Sequence, residues 1–498
     1  MKSLGAVLRK AIEQSGYSIY KVAGKAGINR TTLQKILSDE RPVSTDMLKN
    51  ILSVLRLSSS EETEILTAFE IYQSGETLYS LRQLTRQFLV DLFNADRFFL
   101  CHKPIPKDKF MPWTASACIE EQILLSSSYQ IEEFLDHLIT LECAKDAPCI
   151  RINLPGSLPL IHDFFIRSLL SKSLPEHLKI LHITQFLRSS NAEKDSLTNL
   201  GILSKLLPVS LLTSLDYQIH YFYDSQFHSD TWNLAFPYYI LFSDTVLLLS
   251  ADGSAALPCT EEATIRYFRH LFDGALRNAT PLIEMPGTAS EFLNYLLAID
   301  TPEVIFHSIE YQPCLVTFLP EELFYQYARQ GFPNRDALIQ AIILRSRQLY
   351  ELKNRSCIFS KSGLLEFAST GFMTDLPSVY ALPLSVQDRI LVLKRLYSAI
   401  QTGQQDYYMT NPVTFPLPPR LTCIIRNNIG VEFCYFNQNL AHFKRIHIKE
   451  HTILDTFEDF FQYSLRNPFI YTREETMEEV LACIQELERT VSTARCSE

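Results

Sequence analysis

The chain has 498 residues, of which 46% are hydrophobic and 20% charged. That length exceeds one ordinary core and points to about three domains. No low-complexity tract occurs, and no apolar run approaches the roughly 18–20 residues of a membrane span, so a membrane-embedded protein is excluded as the reading. The charge is uneven: residues 1–57 carry ten Lys or Arg against four Asp or Glu, a net of +6. The remainder carries 36 basic and 52 acidic groups, a net of −16. A small basic head on a large acidic body confines polyanion binding to the head.

The opening MKSLGAVLRKAIEQSG bears charges every few residues, unlike a secretion signal. Eleven cysteines include no CxxC pair, and Cys149, Cys314, Cys423 and Cys434 lie inside apolar strand-like runs. These features lead to an expectation of buried free thiols in a reducing cytoplasm, without disulfides, metal ligands or cofactor.

Leu4 to Ser15 reads as a first helix with Leu4, Val7, Leu8, Ala11 and Ile12 on one face, stopped at Gly16. Ser18 is placed to cap the next helix. The stretch from Ile19 to Leu37, IYKVAGKAGINRTTLQKIL, has the pattern of two short helices joined by a tight turn. Val22 and Ala23 meet the second helix, and Gly27 falls in the turn, where a positive φ is cheap only for glycine. Ile28, Leu33 and Ile36 dock the second helix, and Asn29 caps it. Arg30, Thr31, Gln34 and Lys35 are left pointing outward, residue types suited to base edges and phosphates. Ser44 or Thr45 opens a fourth helix with Met47, Leu48, Ile51, Leu52 and Leu55 as its stripe, and Ser60-Glu61-Glu62 opens a fifth.

The order, spacing and turn residues of this head resemble the Cro-like phage-repressor family of helix-turn-helix domains, also called the xenobiotic-response-element family. The resemblance covers residues 4–70 and rests on Ala23, Gly27 and Ile28 with Leu33 and Ile36. One position departs from the family, which usually has Gln where Ile19 begins the second helix. The resemblance implies a bacterial transcription regulator that reads double-stranded DNA as a homodimer on a palindrome. It places Ser18, Tyr20, Lys21, Asn29, Arg30, Thr31, Gln34 and Lys35 at the DNA, with Tyr20 or Lys21 taking the backbone contact of the missing Gln. A helical bundle used for protein contacts is the plainer alternative.

From Gly75 to Asn94 an amphipathic helix leads onward as a connector, a dimer seam or the first helix of the body. The body shows an internal repeat. SAALPCTEEATIRYFRHLFDGALRN at 254–278 aligns without a gap to FKRIHIKEHTILDTFEDFFQYSLRN at 443–467, matching Glu261 with Glu450, Phe268 with Phe457 and Phe272 with Phe461. Strand-like runs precede each copy, Tyr239–Phe242 and Val246–Ser250 in one, Thr422–Ile425 and Val431–Phe436 in the other. Upstream, PCIRINLP at 148–155 is echoed by PCLVTFLP at 313–320 as the opening strand of each copy. Further strands are expected at Pro148–Leu154, Leu178–Thr184 and Tyr217–Tyr223, with helices at 157–171 and 195–207. The expected organisation is therefore an all-α helix-turn-helix bundle at 1–73, a helical connector at 74–146, and a mixed α/β body with an internal duplication, 147–290 and 291–498.

In architecture alone this duplicated body resembles the phospholipase D-like fold, whose enzymes need a His, a Lys two residues on and an Asp five further, once per copy. His447-Ile448-Lys449 begins the pattern, but the fifth following position is Leu454 and Asp455 comes one place late. The first copy has Pro258 and Thr260 at the matching positions. His442, His447 and His451 read as strand and helix-start residues, not as one metal-binding face. No GxxxxGK, GxGxxG or GxSxG occurs, and Asp224 to Trp232, with His228 and Asp230, is polar loop without assignable chemistry. The expectation is a non-enzyme whose body dimerises, senses something, or both. The rival reading is a receptor for a signalling peptide or small-molecule effector whose DNA binding is the output; such receptors often carry tetratricopeptide repeats, but no 34-residue period is present here.

Overall fold

The computed structural model describes residues 3–55, 57–92, 124–155, 158, 165, 174–175, 177–212, 215–223, 235–284, 297–332, 334–376, 378–437, 442–467 and 470–496. The expected helix at 157–171, apart from isolated positions, and the loop at 224–232 lie outside them. Two compact units emerge, Met1–Gln83 and Leu84–Glu498.

The first unit contains α1 (Leu4–Gln14), α2 (Ile19–Lys25), α3 (Arg30–Leu37), α4 (Thr45–Val54) and α5 (Ser59–Ser74). Each begins with a side-chain cap, from Ser3, Ser18, Asn29, Ser44 and Ser58 in turn, so every helix start satisfies an orphan N–H locally. Glu61 completes a reciprocal capping box with Ser58. Leu8, Val22, Leu33 and Ile51 form a fully buried centre among these helices. Gly5 on α1 donates its N–H to Asp39 Oδ1 at 2.9 Å, and a Cβ there would sit 2.7 Å from the Leu37 carbonyl oxygen. Glycine is therefore required where α1 crosses the end of α3.

The boundary between the units falls inside α6 (Glu76–Asp91). Residues 74–146, expected as a connector, divide between the units. The C-terminal part of α6 belongs to the body, where Phe88 meets Phe433 and Phe457 edge-on. α7 (Ser128–Cys143) is also part of the body: buried Glu142 accepts the N–H groups of Cys149 and Ser243, both at 3.0 Å. Residues 93–123 lie outside the described set.

The body is mixed α/β with two sheets. The first holds β1 (Cys149–Asn153), β2 (Lys179–Phe186), β3 (Asp216–Tyr223), β4 (Tyr238–Leu241), β5 (Val246–Leu249), β6 (Ala256–Cys259) and β7 (Thr280–Pro281), ordered β6-β5-β4-β1-β2-β3-β7. α8 (Ala192–Leu212) links β2 to β3, and α9 (Glu262–Asn278) follows β6. The second holds β8 (Phe306–Glu310), β9 (Arg355–Ser360), β10 (Asp406–Thr410), β11 (Thr422–Arg426), β12 (Gly430–Asn437) and β13 (His442–Ile448), ordered β10-β9-β8-β11-β12-β13. In each, three parallel strands are followed by three antiparallel ones on the other side of the opening strand. Read from the opening strand, the two orders are the same apart from the two-residue β7 added antiparallel to β3 in the first sheet, which is the topology a duplication leaves.

The helices of the second copy are α10 (Glu321–Tyr327), α11 (Arg335–Glu351), α12 (Lys361–Thr370), α13 (Val386–Thr402), α14 (His451–Ser464) and α15 (Arg473–Cys496). The ungapped alignment is kept in three dimensions: Glu261 and Glu450 both stand at the N-cap, of α9 and α14, and the paired phenylalanines are all buried. The PCLVTFLP echo is corrected. Residues 315–318 form a buried 3₁₀ turn, and the second copy opens on Phe306–Glu310 instead. A short apolar run between prolines carries no period that separates a strand from any other fully buried segment.

A chain of buried charges ties the second sheet to its helix layer. Asp300 receives Arg345 of α11 and Arg426 of β11, the latter at 2.5 Å. Arg426 continues to Glu432 of β12 at 2.8 Å, and Glu432 to Arg445 of β13. Arg426, Arg345 and Arg355 also approach the Phe306 ring, at 5.0, 6.0 and 5.6 Å. Removing one member strands the others without water. Asp300→Ala is expected to destabilise the body by about 3–5 kcal/mol in urea unfolding, whereas Glu64→Ala, which breaks the exposed 3.3 Å pair with Lys10, is expected to change the stability of the head by less than about 1 kcal/mol.

Candidate nucleic-acid interface

The interface is built by the way α3 docks. Leu33, Ile36 and Leu37 of α3 are buried with Val22 and Ala23 of α2, and Ile28 is half-buried beside them. Gly27 between the helices has φ +69°, and a Cβ there would meet nothing within 4 Å. The requirement for glycine is thus conformational and not steric. Asn29 Oδ1 accepts from the Thr31 N–H at 3.0 Å and the Thr31 hydroxyl at 2.7 Å, fixing the start of α3.

With that inner face consumed, Arg30, Thr31, Gln34 and Lys35 are all exposed, as are Ser18, Tyr20, Lys21 and Asn29. Tyr20 is 72% exposed, unusual for a large ring with no partner to cover it. The oxygens of Ser18 and Asn29 are occupied as caps, so their open contribution is limited to remaining valences. Ile19 is half-buried against the head core, where it packs and cannot take the polar part the family gives to Gln.

Residues 8–61 match the helix-turn-helix family model HTH_3. The head is a Cro-type helix-turn-helix domain. No curated protein matches the chain. Among solved structures, phosphatidylserine synthase of Haemophilus influenzae Rd KW20 is similar at 11% identity, covering 77% of this chain and 95% of its own, with a TM-score of 0.21.

Besides the expected Lys21, the helix-turn-helix domain groups two further cations, Lys25 and Arg41, near α2 and α3. Lys21 and Lys25 both hold their ammonium groups over the Tyr17 ring, at 4.5 and 5.1 Å, which gathers two charges beside α2. Arg41 donates to Thr32 Oγ1 at 3.3 Å and so stands against α3. Lys25 and Arg41 were visible in the sequence only as part of the basic tally, and Tyr17 not at all, because their grouping depends on the fold.

The partial phospholipase-like pattern in the body is occupied by structure. His447 lies on β13, buried, and burial first and then the neighbouring Arg445 and Lys449 push its imidazole down to about 4. Lys449 pairs with Glu284 at 2.8 Å. Glu450 accepts from the Tyr223 hydroxyl at 2.6 Å, the Thr452 hydroxyl at 2.6 Å and the Ile453 N–H at 2.9 Å. Its carboxylate therefore welds the first copy to α14.

Asn29→Ala is expected to cost the helix-turn-helix domain about 1 kcal/mol through the lost cap. Asn29→Asp keeps the cap and is expected to leave stability unchanged while weakening DNA binding by charge repulsion. Hydrogen exchange at α3 in the intact chain, set beside a binding titration, separates the two effects.

Proposed function

We propose that the chain is a sequence-specific transcription regulator of a bacterial cytoplasm, binding DNA through α3 as a homodimer, with the body as its sensor and dimerisation module. The observation that carries this is the exposed face of α3, where Arg30, Gln34 and Lys35 make no side-chain hydrogen bond or ion pair among the described residues. Arg and Gln at such positions offer bidentate contacts to guanine and adenine edges, and lysines supply phosphate contacts. The net of +6 in residues 1–57 against −16 elsewhere supports docking through the head alone. The absence of catalytic motifs favours a binding protein over an enzyme.

The duplication supports a place for dimerisation. On α14, Thr452, Thr456 and Phe460 form a buried stripe, with Thr452 hydrogen-bonded to Asn199 of α8 at 3.0 Å and Phe460 against Phe415. The equivalent stripe of α9 is Ala263, Tyr267 and Leu271, and it is exposed, Tyr267 by 62% and Leu271 by 45%. A second copy would cover it, and two heads one helical turn apart would read a palindrome. An effector that changes this pairing would gate DNA binding; the mixed α/β body rules out the tetratricopeptide architecture for that sensor.

Three outcomes test the reading. Arg30→Ala with Gln34→Ala should reduce discrimination between operator and random DNA, by about 1–3 kcal/mol per lost base contact. Lys35→Ala or Lys21→Ala should weaken all sequences alike and lower the salt slope by about 0.9 for each phosphate contact removed. Tyr267→Glu with Leu271→Glu should yield monomers in analytical ultracentrifugation; unchanged dimers would place the seam elsewhere.

A further inference from the structure

A buried polar constellation inside the second copy is used by nothing described so far. On one face of its sheet, Ser308 and Glu310 of β8, Arg355 and Cys357 of β9 and Tyr407 of β10 turn toward the 3₁₀ segment 315–318. Glu310 and Cys314 are buried and Asp375 half-buried, and one ligand atom from each lies within 4.8 Å of the others. The loop carrying Asp375 is clamped in place: Gln312 donates to the Phe372 carbonyl at 3.3 Å and accepts the Thr374 N–H at 2.9 Å. Burial raises the Asp375 carboxyl above the usual carboxylate range, against the opposing hydrogen bond to Cys314, the Arg355 charge and the N–H groups of Val316 and Leu315.

Two further groups face this trio with open valences. Arg355, 2% exposed, donates from Nη1 to Thr317 Oγ1 at 3.0 Å and Gln405 Oε1 at 3.2 Å, while Nε and Nη2 have no partner. The Tyr407 hydroxyl, on a side chain 1% exposed, has none either. Both feel Glu310 and Cys314 electrostatically. Buried donors of this kind are normally satisfied by an ordered water or a bound group. The donor set defines that group: two carboxylates and one thiol whose ligand atoms lie close enough to share one ion. One sulfur with two carboxylate oxygens suits an ion of the zinc class better than magnesium or calcium, which take oxygen alone.

We propose that Glu310, Cys314 and Asp375 bind one zinc-class divalent ion, with a water as fourth ligand held by Tyr407 and Arg355. The arrangement has the backbone-oriented carboxylate and the outer-shell donors that tune metal sites. Binding staples the 3₁₀ segment and the 372–375 loop to β8. Glu310 and Cys314 lie four residues apart, but Asp375 comes 61 residues later, so no complete spacing motif announces the set.

The test is zinc K-edge absorption and metal analysis on the intact chain, stripped with chelator and reloaded with zinc alone. The expected result is one zinc per chain with one sulfur at about 2.3 Å and oxygens at about 2.0–2.2 Å. Cys314→Ser, folded by circular dichroism, should lose the sulfur shell, and Glu310→Gln should weaken binding at least about tenfold. No stoichiometric zinc, a shell of oxygen and nitrogen alone, or a sulfur shell that persists in folded Cys314→Ser would overturn the assignment. Should Cys314→Ser fail to fold, the wild-type shell decides by itself.

Discussion

The head depends on one constraint, the burial of Leu33, Ile36 and Leu37 of α3 against Val22 and Ala23 of α2. A helix turns about 100° per residue, so committing those positions inward sends Arg30, Gln34 and Lys35 outward with no further instruction. The positive φ at Gly27 sets the angle at which α3 leaves the turn, and the cap at Asn29 sets where it starts. The outward polar face of α3 is thus a by-product of packing: the same residues that close the core aim it.

The body uses duplication differently in its two copies. Strand order is repeated, yet the equivalent N-cap glutamates have diverged. Glu261 makes no cap bond to the α9 backbone, whereas Glu450 caps α14 and also holds Tyr223 of the other copy. Likewise Phe460 is enclosed where Leu271 is open. The second copy has in addition invested in interior charge, through Asp300, Arg426 and Glu432, which favours one arrangement of β11, β12 and α11 more than it adds net stability.

Local signals were legible in the sequence and distant ones were not. Three helix starts were signalled by Ser18, Asn29 and Ser44 because a cap acts within three residues, whereas the fifth helix starts at the Ser58 cap, ahead of the expected Ser60. The hairpin strands at Tyr238–Leu241 and Val246–Leu249, and at Thr422–Arg426 and Gly430–Asn437, were legible from apolar runs broken by turns. The PCLVTFLP segment misled because burial on all sides removes periodicity. The Asp300–Arg426–Glu432–Arg445 chain spans well over a hundred positions and leaves no spacing to read. The eight residues expected at the DNA are all exposed, since exposure follows from helix phase. The clustering of Lys21 and Lys25 on Tyr17 needed the turn of α2 to be seen.

The most direct measurement is capture of random genomic fragments by the purified intact chain at two salt concentrations, followed by sequencing. The account predicts enrichment of one palindromic motif with half-sites a helical turn apart, lost as salt rises. Enrichment of no motif at either salt, with or without cell extract as a source of effector, would contradict it.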